Sequence, residues 1–543
     1  MKPFDASGVC CPVAEGLLLR DLSIRGAAAT VTGQSLMFGV QFVSTVILAR
    51  LLRPSDFGLV GMVTTVSLLL MSFGGNGFTE AILQCERVDR YLASNLFWIT
   101  VTVGVVVTVG FAASGSLLAR FYRNALVAHV TVALSVTIVT AAAAVMHLAL
   151  LKRAMRFSAV AANEVVARAS NTLVSIALAL NGWGYWALVL GIVVQGTCTA
   201  VGAWWLCRWI PSWPRRGVRT RAVLGFAASV YGKFLLNYLA RNCDNALVGW
   251  RFSAEALGFY KKAYDLFTVP AGQFLNPVSS VAVAALSRIR GDMSQFQRYL
   301  LESAGVLTFL GIGLGTVLTL TGPELIPLVL GPGWERAGTI FAYFGPGIGI
   351  IFLHGTHSWI HLSIGRPERW LKWGIFELGF TFPLFLLGLR WGPEGVALAW
   401  TTSLWVGLLP ALWYAGRPIG LGPRRFLGAL WRYTLAAAVA AFVCYALAGA
   451  LHLSALASHA SGAVVLIFAK ASIFVLLYLG AVVLLYGGIE PLRPVKRLAR
   501  TVVRARRNTL PHGVRVPTPL DGTSAEATAV LLPRAVPLGS NDY

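Results

Sequence analysis

Residues 48–62, LARLLRPSDFGLVGM, and residues 248–266, VGWRFSAEALGFYKKAYDL, carry one pattern twice. In each copy an apolar run ends in Arg, a short polar turn follows, and a Gly opens the next apolar run. With one gap, Arg50 corresponds to Arg251 and Phe57-Gly58 to Leu257-Gly258. The copies stand about 200 residues apart, an interval that holds six apolar segments. An even number of crossings returns the chain to the same side, so both halves keep one orientation about an axis along the membrane normal.

The composition agrees with a chain that lives in lipid. Of 543 residues, 56 % are hydrophobic and 12 % charged, against about 25 % charged in an ordinary soluble domain. The mean hydropathy is +0.69, which excludes a soluble globular enzyme. A helix crossing the hydrocarbon core needs about 20 largely apolar residues. On that rule fourteen spans are predicted, at residues 27–50, 57–79, 92–118, 125–150, 160–181, 184–207, 222–248, 257–284, 300–322, 338–362, 371–389, 394–415, 427–451 and 462–486. The predicted fold is an all-α polytopic membrane protein. Residues 1–22 form an N-terminal segment, 23–210 and 211–416 two six-helix lobes, 417–487 an accessory helix pair, and 488–543 a basic disordered tail.

The net charge of +23 is placed unevenly. If the N terminus is cytoplasmic, the loops on that side hold 20 basic residues, Lys152, Arg153, Arg215 and Arg369 among them. The opposite loops hold seven, Arg50, Arg53, Arg120, Arg123, Arg251, Arg336 and Arg390. That asymmetry predicts both termini in the cytoplasm. The basic tail suits an anionic leaflet, and no module or aromatic interleaving suggests nucleic acid. The first 22 residues lack the long apolar core of a cleaved signal peptide. Seven cysteines without metal-type spacing read as small apolar residues. No GxxxxGK[ST] loop and no DxD pair occurs, and no loop between spans has room for a soluble catalytic domain. No cofactor and no metal is expected. His354, His357 and His361 share a helix face at i, i+3 and i+7, but without a nearby carboxylate or cysteine they read as a polar face rather than a metal site.

Four stretches together, LARLLRPSDFGLVGM, GFTEAILQ (77–84), DNALVGWRFSAEALGFYKKAYDLFTVP (244–270) and LVLGPGWERAG (328–338), resemble the polysaccharide transporter, or Wzx-type oligosaccharide flippase, branch of the multidrug/oligosaccharidyl-lipid/polysaccharide exporter superfamily. The likeness runs over residues 20–485. It implies two six-helix lobes flanking a central cavity in a bacterial inner membrane. It also implies a flippase that carries undecaprenyl-pyrophosphate-linked sugar units from the cytoplasmic to the periplasmic leaflet, with membrane lipids and polysaccharide polymerase or export machinery as partners. Glu80 departs from the pattern, where the family has a small or polar residue. The alternatives are a cation-coupled multidrug exporter of the same fold, a membrane-embedded polymerase or ligase, and a peptidoglycan-precursor flippase.

Charges within spans are costly, so each should face a partner or a water-filled cavity. Lys233, Asn237, Arg241, Asp244 and Asn245 lie at steps of four, four, three and one, forming a polar stripe along the seventh span. Together with Lys261, Lys262, Arg50 and Arg251 they are the candidate substrate-binding residues, since a lipid pyrophosphate needs fixed cations. Asn237, Asn245, Tyr238, Tyr260 and Tyr264 offer hydrogen bonds and aromatic faces to a sugar. The bland alternatives are an Arg241–Asp244 pair, a Lys261–Asp265 pair, and headgroup snorkelling for Arg50 and Arg251. Glu377, Glu164 and Asp265 are the coupling candidates, Glu164 also standing at i,i+4 from Arg168. Glu377 and Lys470 look isolated. Prolines from Pro270 to Pro383 are placed to bend helices during alternating access.

Overall fold

In lipid every main-chain polar group must be satisfied within its own segment, so long apolar runs become helices. The computed structural model describes residues 3–4, 8–10, 17–85, 87–216, 220–451 and 460–488, and among these it is almost entirely helical, without strands. In chain order the helices are first α1 (Leu17–Leu51), α2 (Pro54–Gln84), α3 (Arg90–Ala113), the short α4 (Gly115–Phe121), α5 (Leu126–Arg153), α6 (Phe157–Leu180) and α7 (Tyr185–Cys207), the region expected to form a first lobe. Next come α8 (Arg221–Arg251), α9 (Ala254–Arg288), α10 (Met293–Leu330), α11 (Glu335–His354), the short α12 (Thr356–Ser363), α13 (Pro367–Gly388) and α14 (Gly392–Gly416), the region expected to form a second lobe. The final pair is α15 (Pro423–Ala450) and α16 (Ala460–Tyr486).

Each predicted span falls on a long helix, but eleven stretches among the described residues are long and apolar enough to cross a membrane. One of these, Pro367–Ile419, contains both α13 and α14. The long helix α6 does not qualify; it carries Glu164 with Arg168, which lower its hydropathy. The third predicted span is broken at Ser114 into α3 and α4, and the tenth at Gly355 into α11 and α12.

The repeat becomes a physical contact. α1 and α8 end at residues 51 and 251, and α2 and α9 begin at 54 and 254, so the two copies run in register at an offset of 200 without a gap. Arg251 is therefore equivalent to Leu51, and Arg50 to Trp250, which corrects the pairing of the two arginines. The N-caps of α2 and α9 differ in chemistry. At 53 the Arg53 main-chain N–H donates to Asp56 (3.0 Å), whereas at 253 the Ser253 hydroxyl accepts from Ala256 N (3.1 Å). The first turn thus satisfies the N–H of the cap residue itself and the second the N–H three residues on, so the copies share a turn but not its cap chemistry.

α2 and α9 cross at Gly58 and Gly258. A Cβ on Gly58 would stand 1.5 Å from the Ala254 carbonyl oxygen, and one on Gly258 would stand 1.9 Å from the Pro54 carbonyl oxygen. Each glycine thus admits the equivalent main-chain carbonyl of the other copy. Around this crossing the largest buried cluster gathers Leu48, Leu52, Phe57, Val60, Val248, Leu257, Phe259 and Trp334. Trp334, 1 % exposed, stands edge-on to Phe57 and Phe259 and donates from Nε1 to Ala49 O (2.9 Å). Arg50 Nη2 donates to Leu328 O (2.9 Å). The two copies are therefore joined firmly at the Arg53–Ser253 end.

The symmetry does not extend to the neighbouring helices. α8 lies along α2, with Tyr238 donating to Thr65 O (2.9 Å), Tyr231 to Leu69 O (3.0 Å), and Ala227 O approaching Gly77. The equivalent helix α1 packs instead mainly on α6. Gly77 has φ +124 inside α2, a conformation and a closeness to Ala227 that admit only Gly. Glu80, the departure noted in GFTEAILQ, accepts from the Gly77 N–H (2.6 Å) and so closes this irregular turn. At the same end residues 8–10 bond to the chain at 88–90, and the segment after α7 is tied to α3 through Ser212 with Ser94 and Arg215 with Asn95. No disulfide joins the cysteines among the described residues. The expected basic tail, from 489 onward, lies outside the described residues.

Candidate functional site

The predicted polar stripe on α8 is divided. Asp244 and Asn245 are each 2 % exposed and face inward. Asp244 accepts from the Tyr260 hydroxyl of α9 (2.8 Å) and from the Asn245 N–H (2.8 Å). Burial makes such bonds necessary, because an unpaired carboxylate in the interior is costly. Asp244 is thus a tie between α8 and α9, and no Arg241–Asp244 ion pair occurs among the described residues. Tyr260, expected to face a sugar, is wholly buried and packs edge-on to Phe344. Tyr238 is committed to α2, and Tyr264 lies among Phe267, Phe344 and Trp400. Arg241 alone of the three described charged or amide stripe residues stands exposed. Lys233 and Asn237 fall on side chains outside the described set.

On α9, Lys261 Nζ stands 3.7 Å from Asp265, with side-chain exposures of 27 % and 40 %, so the expected i,i+4 pair forms and remains partly open. An open pair of this kind is weak. The Lys261 stem passes over Gly61 of α2, where a Cβ would meet its Cδ at 3.2 Å. Lys262 points elsewhere: its Nζ lies 4.2 Å from the centre of the Phe57 ring, inside the junction of the two copies. A cation over an aromatic face is an attractive contact, and it assigns Lys262 to the joint rather than to open space. Arg50 is held by Leu328 O, and Arg251 is exposed beside Phe252. The two arginines therefore occupy different environments.

The remaining intramembrane charges find partners that spacing did not reveal. Glu377 on α13 meets His354 on α11, Oε1 to Nε2 3.3 Å. Lys470 on α16 reaches Glu324 on α10 at 2.7 Å and also donates to Leu320 O (3.3 Å), which fastens the last helix to the second lobe region. Neither residue is isolated. Arg168 donates to Gln41 Oε1 of α1 (2.8 Å), and Glu164 forms no ion pair with it among the described residues. No group of three His, Cys, Asp or Glu able to hold a metal occurs among the described residues.

Comparison with known proteins follows from this geometry. The chain is 21 % identical over 376 residues to the succinoglycan biosynthesis transport protein ExoT of Rhizobium meliloti, covering 69 % of this chain and 76 % of that one. It is 22 % identical over 426 residues to the lipopolysaccharide biosynthesis protein WzxC of Escherichia coli, covering 76 % and 85 %. Among solved structures, the lipid II flippase MurJ in an inward closed conformation superposes with a TM-score of 0.65 at 15 % identity, over 84 % of this chain and 98 % of that one. An inward-facing multidrug resistance MATE transporter of the MOP superfamily gives a TM-score of 0.57 at 13 % identity, over 71 % and 94 %. These two share the fold. The polysaccharide biosynthesis protein family matches residues 47–338, a stretch that contains both copies of the repeat and the Gly58–Gly258 crossing, and the chain belongs to that family.

Proposed function

We propose that this protein is a flippase that moves undecaprenyl-pyrophosphate-linked oligosaccharide units from the cytoplasmic to the periplasmic leaflet of a bacterial inner membrane. The product serves synthesis of a surface polysaccharide, and no covalent bond is made or broken. The observation that carries this reading is family membership over residues 47–338, joined to an exposed Arg241 and a partly open Lys261 on adjacent helices. A pyrophosphate crossing the membrane interior needs fixed cations, and an Arg fork bonds two phosphate oxygens at once. The relatives named for succinoglycan transport and lipopolysaccharide biosynthesis support a polysaccharide cargo. The excess of basic residues in alternate loops supports placing both termini in the cytoplasm, which puts the joined Arg53–Ser253 end on the periplasmic side. Rocking of the two lobes about that joint then opens and closes the path.

The test is lipid extraction from cells lacking the protein, with mass spectrometry of the undecaprenyl-pyrophosphate oligosaccharides and a periplasmic glycosidase to report their side. Completed units that accumulate and resist the glycosidase are the expected result. Accessible units would point to a polymerase or ligase, and an unchanged lipid pool would overturn the proposal.

A further inference from the structure

Three histidines form a file through the second lobe region, and nothing in the cargo argument uses them. α11 ends at His354, the helix breaks at Gly355, and α12 carries His357 and His361. The three are 7 %, 5 % and 0 % exposed. Ring centres of His354 and His357 are 4.8 Å apart, those of His357 and His361 6.3 Å, and His361 lies 5.6 Å from the Tyr414 ring of α14. His357 Nδ1 bonds the His354 carbonyl. Among the described residues His354 Nε2, His357 Nε2 and both ring nitrogens of His361 make no hydrogen bond, although they are buried. At the inner end of the file His354 Nε2 faces Glu377 Oε1 at 3.3 Å.

Packing alone does not account for this set. An unpaired buried imidazole nitrogen loses its hydration with no return, and a Leu or Phe fills the same space without that loss. What an imidazole adds is one nitrogen that donates and one that accepts, so a proton can enter on one side of the ring and leave on the other. The charged and titratable groups that face the file are few. Arg241 comes from α8, which packs on α13; Glu368 and Arg369 stand at the start of α13, with Arg369 lying over the Tyr414 ring at 4.1 Å and donating to Tyr414 O. Among the described residues, Lys372 on α13 is exposed, α9 has no titratable residue between Asp265 and Arg288, α10 none between Glu302 and Glu324, and α14 none between Glu394 and Tyr414. The file therefore runs from the Arg366–Arg369 turn at one end to a carboxylate within the membrane at the other.

We propose that the His354–Glu377 pair is a proton-binding site and that His357 and His361 connect it to the Arg366–Arg369 end of the second lobe region. One proton shared between imidazole and carboxylate leaves the pair net neutral, and its departure leaves one negative charge facing Arg241. A ring rotation or a single bridging water spans the gap between His357 and His361. Proton occupancy thus changes the charge beside an exposed cation, whatever cargo that cation meets.

The experiment is infrared difference spectroscopy on the full-length protein in lipid nanodiscs, stepping between about pH 5 and 8. The wild type is expected to show a protonated-carboxyl band that grows on acidification, is missing in Glu377→Gln and is displaced in His354→Gln. In His361→Gln the band is expected to remain while its exchange with deuterium slows by about a hundredfold. A band that does not titrate, or that survives in Glu377→Gln, overturns the site. Exchange at the wild-type rate in both His361→Gln and His357→Gln overturns the connection. An amide band and elution profile matching the wild type show that each variant is folded.

Discussion

Substitution of Gly58 by Ala probes the joint between the two copies. The new Cβ would stand 1.5 Å from the Ala254 carbonyl oxygen and 2.8 Å from Gly258 N, both main-chain atoms that no rotamer change can move. An ordinary Cβ contact begins near 3.4 Å, so α2 and α9 must separate locally by about 2 Å. Overpacking of this kind costs about 1–3 kcal/mol, and the rigid partner places this position at the upper end. If the penalty applies only while the joint is closed, it displaces the conformational equilibrium by up to about 150-fold. The assay is a pair of spin labels at exposed positions at this end, Leu126 on α5 and Trp391 after α13, with the distance distribution measured beside the thermal midpoint. Gly58→Ala and Gly258→Ala should each broaden the distribution toward longer distances and lower the midpoint. The double variant should fall short of the sum, because both methyl groups press on one crossing. Gly110→Ala on α3, where nothing lies within 4 Å of the new Cβ, should be neutral or stabilising by up to about 1 kcal/mol. Wild-type distances and midpoint in Gly58→Ala would refute the close crossing.

Replacement of Trp334 by Ala removes the bond to Ala49 O and the packing on Phe57 and Phe259; a loss of about 3–5 kcal/mol is expected in thermal or denaturant unfolding, with the same label pair loosening. Lys470→Met strands Glu324, and a cost of about 3 kcal/mol is expected at this mostly buried pair. The double variant Lys470→Met with Glu324→Gln should recover most of it, and unfolding of the set measures the coupling directly. For transport, Arg241→Ala combined with Lys261→Ala should lower polysaccharide export at unchanged membrane level. Each charge-assisted contact is worth about 1.5–3 kcal/mol, a roughly ten- to hundredfold effect apiece. Full export by the double variant would remove both from the path.

Much of the architecture was legible in residue order. The apolar runs set the helices, and the repeated Arg, polar turn and Gly marked where α2 and α9 begin, though not that they cross. The Lys261–Asp265 pair was legible too, because an i,i+4 spacing is a local fact. Partners across helices were not. Glu377 with His354, Lys470 with Glu324, and Asp244 with Tyr260 join different helices, and an apolar helix carries no periodic signal that says which neighbour its few polar groups will meet. In lipid the usual amphipathic pattern is weakened, since the face toward lipid and the face toward protein are both apolar.

The sequence by itself determined that the chain crosses the membrane many times, that one helix–turn–helix pattern occurs twice, and where each copy turns. These follow from length, hydropathy and the chemistry of single turns, all of which act within one segment. Only the tertiary structure decided the register of the copies, the division of the α8 stripe into a buried Asp244 and an exposed Arg241, and the placing of Lys262 over the Phe57 ring. It also decided the asymmetry by which α8 lies on α2 while α1 turns to α6. Those outcomes depend on which small residues let two main chains approach. That approach is governed by the shape of both partners at once, which no single segment contains.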